Sequence, residues 1–159
     1  MLASQTDRWR RLIEMNVISE REIRNRLLGA WRLVSWEQVT EAGTVVYPLG
    51  PDAAGQLMYT APDRVSAQLV RTQQAPFASA DWQQATAEEM CEAWPSYFGY
   101  FGTFSIDLEQ GAVIHHIEGS WFPNLVGSEQ VRRFSFEGER LLLHADTAWG
   151  AVRIVWDKV

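Results

Sequence analysis

From Leu28 onward, apolar and polar residues alternate with a period of two, in short runs broken by turn residues. Successive side chains of a strand point to opposite faces, so this pattern commits the chain to strands with one buried face. The runs at 30–39, 44–48, 55–60 and 65–71 are rich in β-branched and aromatic residues. Between them lie Glu41, Ala42 and Gly43, then Gly50, Pro51 and Asp52, then Ala61, Pro62 and Asp63, all with turn chemistry. Five further runs follow, at 100–107, 112–120, 129–136, 140–145 and 149–157, and 137–139 and 146–148 suit tight hairpins. About nine strands at near-regular spacing read as an all-β barrel or sandwich, and meander order favours an antiparallel up-and-down β-barrel. A barrel of about eight to ten strands can hold one small ligand in an internal cavity.

Two segments depart from this period. Residues 5–27 carry Trp9, Leu12, Ile13 and Val17 at helical spacing. Ser19 followed by Glu22 forms a capping box, which predicts a second short helix bearing Ile23 and Leu27. Thr86 and Glu89 repeat the capping box and predict a mid-chain helix running to about Tyr97, broken near its end by Pro95. With 159 residues the chain fits one domain. It divides into a helical segment at 1–27, packing on the barrel as a lid or plug, and a barrel domain at 28–159. Eight tryptophans are many for this length and demand a large buried or ligand-lined surface.

The net charge of −6 excludes a generic attraction to phosphate backbones, so no nucleic acid is expected as a partner. No run approaches the roughly 18 apolar residues of a membrane span, so no membrane partner is expected. The first sixteen residues show no apolar core of a signal peptide, which predicts a cytoplasmic protein, as a monomer or homodimer. The single cysteine, Cys91, lies in the predicted mid-chain helix and reads as a small buried apolar residue. Phosphate-cradling loops, dinucleotide fingerprints and nucleophile elbows are absent, so no cofactor is expected.

Gly29 and Trp31 open the first strand after a short helix. With them stand LGAWRLVSWE at 28–37, VYPLG at 46–50, GQLMYT at 55–60, VSAQL at 65–69, YFGTF at 100–104 and HIEGSWFPN at 116–124. Together these segments resemble the lipocalin-like domain family of small bacterial and fungal proteins. The resemblance runs from about Leu28 to Val159. It implies a barrel with an internal cavity and Trp31 packed across its closed end, and it implies little about chemistry.

Parity decides which side chains meet inside. If Trp31 faces inward, strict alternation takes Leu33, Ser35 and Glu37 with it and leaves Arg32, Val34 and Trp36 outside. His116, Glu118 and Ser120 share one face of their strand, and Val113, His115 and Ile117 the other. Burial alone would send Val113 and Ile117 to the core. A ligand cavity reverses that rule by placing a few polar groups inside, and the resemblance turns the polar set inward. His116 and Glu118 could then act as a coupled acid–base pair, the carboxylate setting the imidazole tautomer. The same pair could ligate a metal, but a third ligand would have to be His144 or a distant carboxylate, so no metal is expected. Arg132 shares parity with Phe134 and Phe136 and is read as inward. It needs an anionic partner, from Glu118, Glu37 or a ligand.

The expected catalytic set is therefore His116, Glu118 and Arg132. The expected lining is Trp31, Glu37, Tyr59, Gln68, Tyr100, Phe104, Ser120 and Asn124. The expected function is binding of a small, largely apolar molecule, aromatic or polyketide- or terpenoid-like. The alternative is a cofactor-free isomerase, cyclase, hydratase or decarboxylase using the His–Glu pair and the arginine. A third reading is a storage or oligomerisation domain with a filled core.

Overall fold

The structure, a computed structural model, describes residues 19–148 and 150–159. The helix expected at 5–18, with Trp9, and the position of Trp149 lie outside the described residues. A short helix, α1 (Glu20–Leu27), leads into β1 (Gly29–Val39), and β2 is a two-residue strand (Val45–Val46). Then come β3 (Ala54–Thr60), β4 (Arg64–Val70), α2 (Ala87–Ala93), β5 (Tyr97–Asp107), β6 (Ala112–Ser120), β7 (Glu129–Glu137), β8 (Arg140–Thr147) and β9 (Gly150–Lys158). Every neighbouring pair is antiparallel, and β1 also pairs with β9, which closes eight long strands into a barrel. β2 hangs on the edge of β1, where Gln38 and Val39 face Val46 and Val45. The expected run at 44–48 shrinks to these two residues.

Both capping boxes form. Ser19 Oγ accepts from Glu22 N and Glu22 reaches back to Ser19 N at 2.7 Å, and Thr86 and Glu89 do the same for α2. The mid-chain helix stops at Ala93, and Trp94–Ser96 continues as a 3₁₀ turn around Pro95. Cys91 is exposed on α2, contrary to the buried reading, because α2 buries none of its residues.

α1 closes one end of the barrel. Its Ile23 and Leu27 enter the core, and the Trp31 indole donates to the Leu27 carbonyl at 2.8 Å. Lys158 Nζ lies 4.1 Å from the Trp31 ring centroid and donates to the carbonyls of Arg26 and Leu28. A cation on the last carbonyls of a helix is favourable and here it also stacks on an indole. Arg24 pairs with Glu20 and Asp63, and Arg26 sits 3.8 Å over the Phe136 ring.

The core runs down the barrel axis, from Trp31, Leu33, Leu57 and Tyr59 through Val65, Ala67 and Leu69 to Phe104, Val113, Leu141 and Trp156. One departure from strict alternation matters. The pairing of β1 with β9 shifts between Leu33 and Ser35, so one extra residue enters β1 there. Beyond this bulge the parity is inverted. Trp36 turns into the core against Ile154, and Ser35 and Glu37 turn outward, the reverse of the expectation.

Candidate functional site

The polar group that the barrel encloses is His115. It shares the inward face of β6 with Val113 and Ile117 and is completely buried. Its Nε2 lies 2.7 Å from the Tyr59 hydroxyl and its Nδ1 lies 2.7 Å from the Tyr100 hydroxyl. Both phenol rings also pack against the imidazole, with centroids 5.5 and 5.7 Å away. The Tyr59 ring meets Phe104 edge-on at 4.9 Å. Burial, then the Arg132 charge, then His116 push the His115 pKa down to about 3, so this imidazole is neutral at physiological pH. Burial likewise raises the Tyr59 and Tyr100 hydroxyls above the usual phenol range, and Arg132 pulls both partly back.

Arg132 faces the same interior. It stands opposite Val113 across the β6–β7 ladder, and both point inward, as its parity with Phe134 and Phe136 implies. Its guanidinium donates to the Val131 carbonyl at 3.1 Å and to Gln130 Oε1 at 3.4 Å. Neither expected acid reaches it. Glu118 is held by Arg64 through two hydrogen bonds of 2.7 Å, and Glu37 pairs with Arg153 at 3.3 Å.

The β7–β8 ladder stops beside Arg132. β7 pairs with β8 from Arg133 opposite His144 down to Glu137 opposite Arg140. Above that point the ladder between them ends, and Glu129 to Arg132 pair with β6 while Ala145 and Asp146 pair with β9. Accordingly the inward row of β7, Gln130, Arg132, Phe134 and Phe136, is half-buried. The inward rows of β3, β4 and β8 are buried apart from their end residues Gly55 and Thr147, which are half-buried.

The other expected residues fall into three groups. Tyr59, Tyr100 and Phe104 line the interior around His115. Trp31 belongs to the closed end. Gln68 and Ser120 border a shallow concavity of about 280 Å³ on the outside of β4, β5 and β6, with Tyr97, Phe101 and Trp121. Ser120 Oγ is occupied with the Gly99 carbonyl at 3.2 Å, and Asn124 is exposed in a 3₁₀ turn at the rim. His116 and Glu118 are corrected: both lie on the outer face. His116 contacts Ser105 Oγ at 2.8 Å and Glu129 at 3.2 Å, and the two do not pair with each other. The carboxylates here serve surface ion pairs, so water solvates this face and the apolar partners of His115 take the core. An acid–base pair of His116 and Glu118 inside the barrel is therefore not formed.

The sequence points away from His115 because its neighbour His116 has a carboxylate two residues on. The signal was its parity with Val113 and Ile117. Among the described residues, no group of three or more His, Cys, Asp or Glu side chains is arranged to hold a metal, and no helix is long and apolar enough to cross a membrane.

Among curated proteins none matches this chain. Among solved structures the chain is similar to one titled a REP1-NXSQ fatty acid transporter, at 12% identity and a TM-score of 0.41, covering 85% of this chain and 97% of that one. Residues 28–156 match the family model described as a lipocalin-like domain. That match spans every barrel strand but the last two residues of β9, and the chain belongs to the lipocalin-like domain family.

Proposed function

We propose that the barrel binds one small, largely apolar molecule, aromatic or polyketide- or terpenoid-like, in the space alongside β7. The observation that carries this reading is the half-buried inward row of Gln130, Arg132, Phe134 and Phe136 beside a parted wall. A barrel filled only by its own side chains would bury that row as it buries those of β3 and β8. Apolar residues dominate the surroundings, with a few polar groups gathered at one level, which is the composition of a small-molecule site. Catalysis through His116 and Glu118 is not favoured, since both face solvent.

The test is titration with N-phenyl-1-naphthylamine, a neutral apolar fluorophore. Saturable enhancement with a dissociation constant on the order of micromolar, at one molecule per chain, is expected. Gln130→Trp places an indole in the space and should weaken binding by about tenfold or more with the circular dichroism spectrum unchanged. His116→Ala and Glu118→Ala, on the outer face, should leave it intact. Absent saturation, or full binding by Gln130→Trp, would overturn the reading.

A further inference from the structure

The barrel interior keeps hydrogen-bond donors that its own contacts do not use. A neutral imidazole carries one N–H and each phenol one O–H, so Tyr59, His115 and Tyr100 together hold three hydrogens. Two contacts, one at each ring nitrogen, use two of them. One nitrogen accepts a phenol hydrogen, and the other donates to the second phenol's oxygen. The hydroxyl hydrogen of that second phenol is left over. Which tyrosine keeps it depends on the tautomer, but one of them does in either case.

Arg132 adds further unused donors. Its five N–H donors meet two neutral oxygens, those of Val131 and Gln130. The charged side chains on the neighbouring strands are engaged elsewhere: Glu118 with Arg64, Glu129 with His116, and Arg133 with Asp146. His115 contributes no charge. The indole N–H groups of Trp36 and Trp156, both in the core, are buried without an acceptor. No buried side-chain oxygen among the described residues lacks a partner. A buried polar group without a partner is costly, so an interior with unused donors favours an occupant that brings acceptors. A half-buried guanidinium whose hydrogen bonds go to neutral oxygens further favours one that brings negative charge.

We propose that the molecule bound in the barrel is seated by an oxyanion, a carboxylate or an ionised phenol or enol. This oxygen lies between Arg132 and whichever of Tyr59 and Tyr100 retains its hydroxyl hydrogen. The inference rests on the binding reading above and narrows it to one chemical class. An acidic phenol entering this site gives its proton to the buffer, because the neutral imidazole is already hydrogen-bonded at both nitrogens. Preorganised donors around a forming oxyanion are also what an enolate intermediate would need.

Two probe series test this. The bound pKa of 7-hydroxycoumarin, read from its phenolate absorbance, should fall by at least one unit, a tenfold preference for the anion. Separately, 2-naphthoate should bind about tenfold or more tighter than its methyl ester. Success in the first series alone identifies a phenol or enol source, and success in the second alone a carboxylate, and either supports the oxyanion. Arg132→Met should abolish the preference, Arg132→Lys should retain part of it, and Arg133→Met, on the outer face, should leave it unchanged. The proposal is overturned if ester and acid bind equally and the coumarin pKa stays or rises while both displace N-phenyl-1-naphthylamine. That result leaves the binding reading standing, whereas failure of the neutral probe itself removes it.

Discussion

His115 is the residue on which the interior chemistry turns, and its cost is visible in the pH dependence of folding. Its pKa is about 3 in the folded barrel and near 6.5 in an unfolded chain. Between those values the unfolded state takes up a proton that the folded state refuses. Stability therefore falls as pH drops through this window, by about 1.4 kcal/mol per unit from this group alone. Above pH 6.5 the group contributes no slope. Chemical denaturation of the wild type and of His115→Gln at pH 7 and pH 5 measures the difference. The variant, though less stable at pH 7, should lose distinctly less on acidification. Equal losses would mean that the imidazole is not held neutral. His116, one residue away and in contact with Glu129 at the surface, is a poor surrogate in this experiment.

The elements explain what the sequence made legible. Nine strands, two capping boxes and the stop near Pro95 were readable because each has a local signal: period two, a hydroxyl three residues before a carboxylate, a missing N–H. The inward position of Arg132 was readable because β7 alternates without interruption. Trp36 and Glu37 were not, because a bulge in β1 inverts parity after Leu33 and no residue type announces it. Nor was the orientation of β6, since two adjacent histidines offer one polar residue to each face. A second irregularity lies between Phe101 and Gly102, where β5 slips against β6. A Cβ on Gly102 would overlap the His116 carbonyl oxygen, which is backbone and cannot move aside cheaply. Gly102→Ala should cost about 3 kcal/mol or more, the range of overpacking combined with a broken ladder. Thermal unfolding measures it. A midpoint within two degrees of wild type would show that the two strands can separate without penalty, which would also unsettle the placement of His115.

At the scale of the whole molecule, the barrel is closed where β1 meets β9 and parted where β7 leaves β8. The closing ladder runs from Trp31 opposite Lys158 to Val39 opposite Ala151, and the helix α1 and Lys158 lock its lower end. The parted stretch leaves the β8-facing backbone groups of Glu129 to Arg132 and the β7-facing groups of Ala145 and Asp146 without a ladder. Amide exchange reports local opening, so the two sides of the molecule should differ by orders of magnitude in protection. Peptides covering 31–36 and 152–157 should exchange last. Those covering 129–132 and 145–146 should exchange early, although the flanking residues of the same strands, 134–137 and 140–143, remain protected. A molecule bound beside β7 packs against this parted wall, so saturation with N-phenyl-1-naphthylamine should slow exchange there and hardly touch the β1–β9 closure. Uniform slowing over the whole barrel would instead mean that the probe merely shifts the global unfolding equilibrium. Slowing confined to the outer concavity of Tyr97, Phe101 and Trp121 would move the binding site outside the barrel.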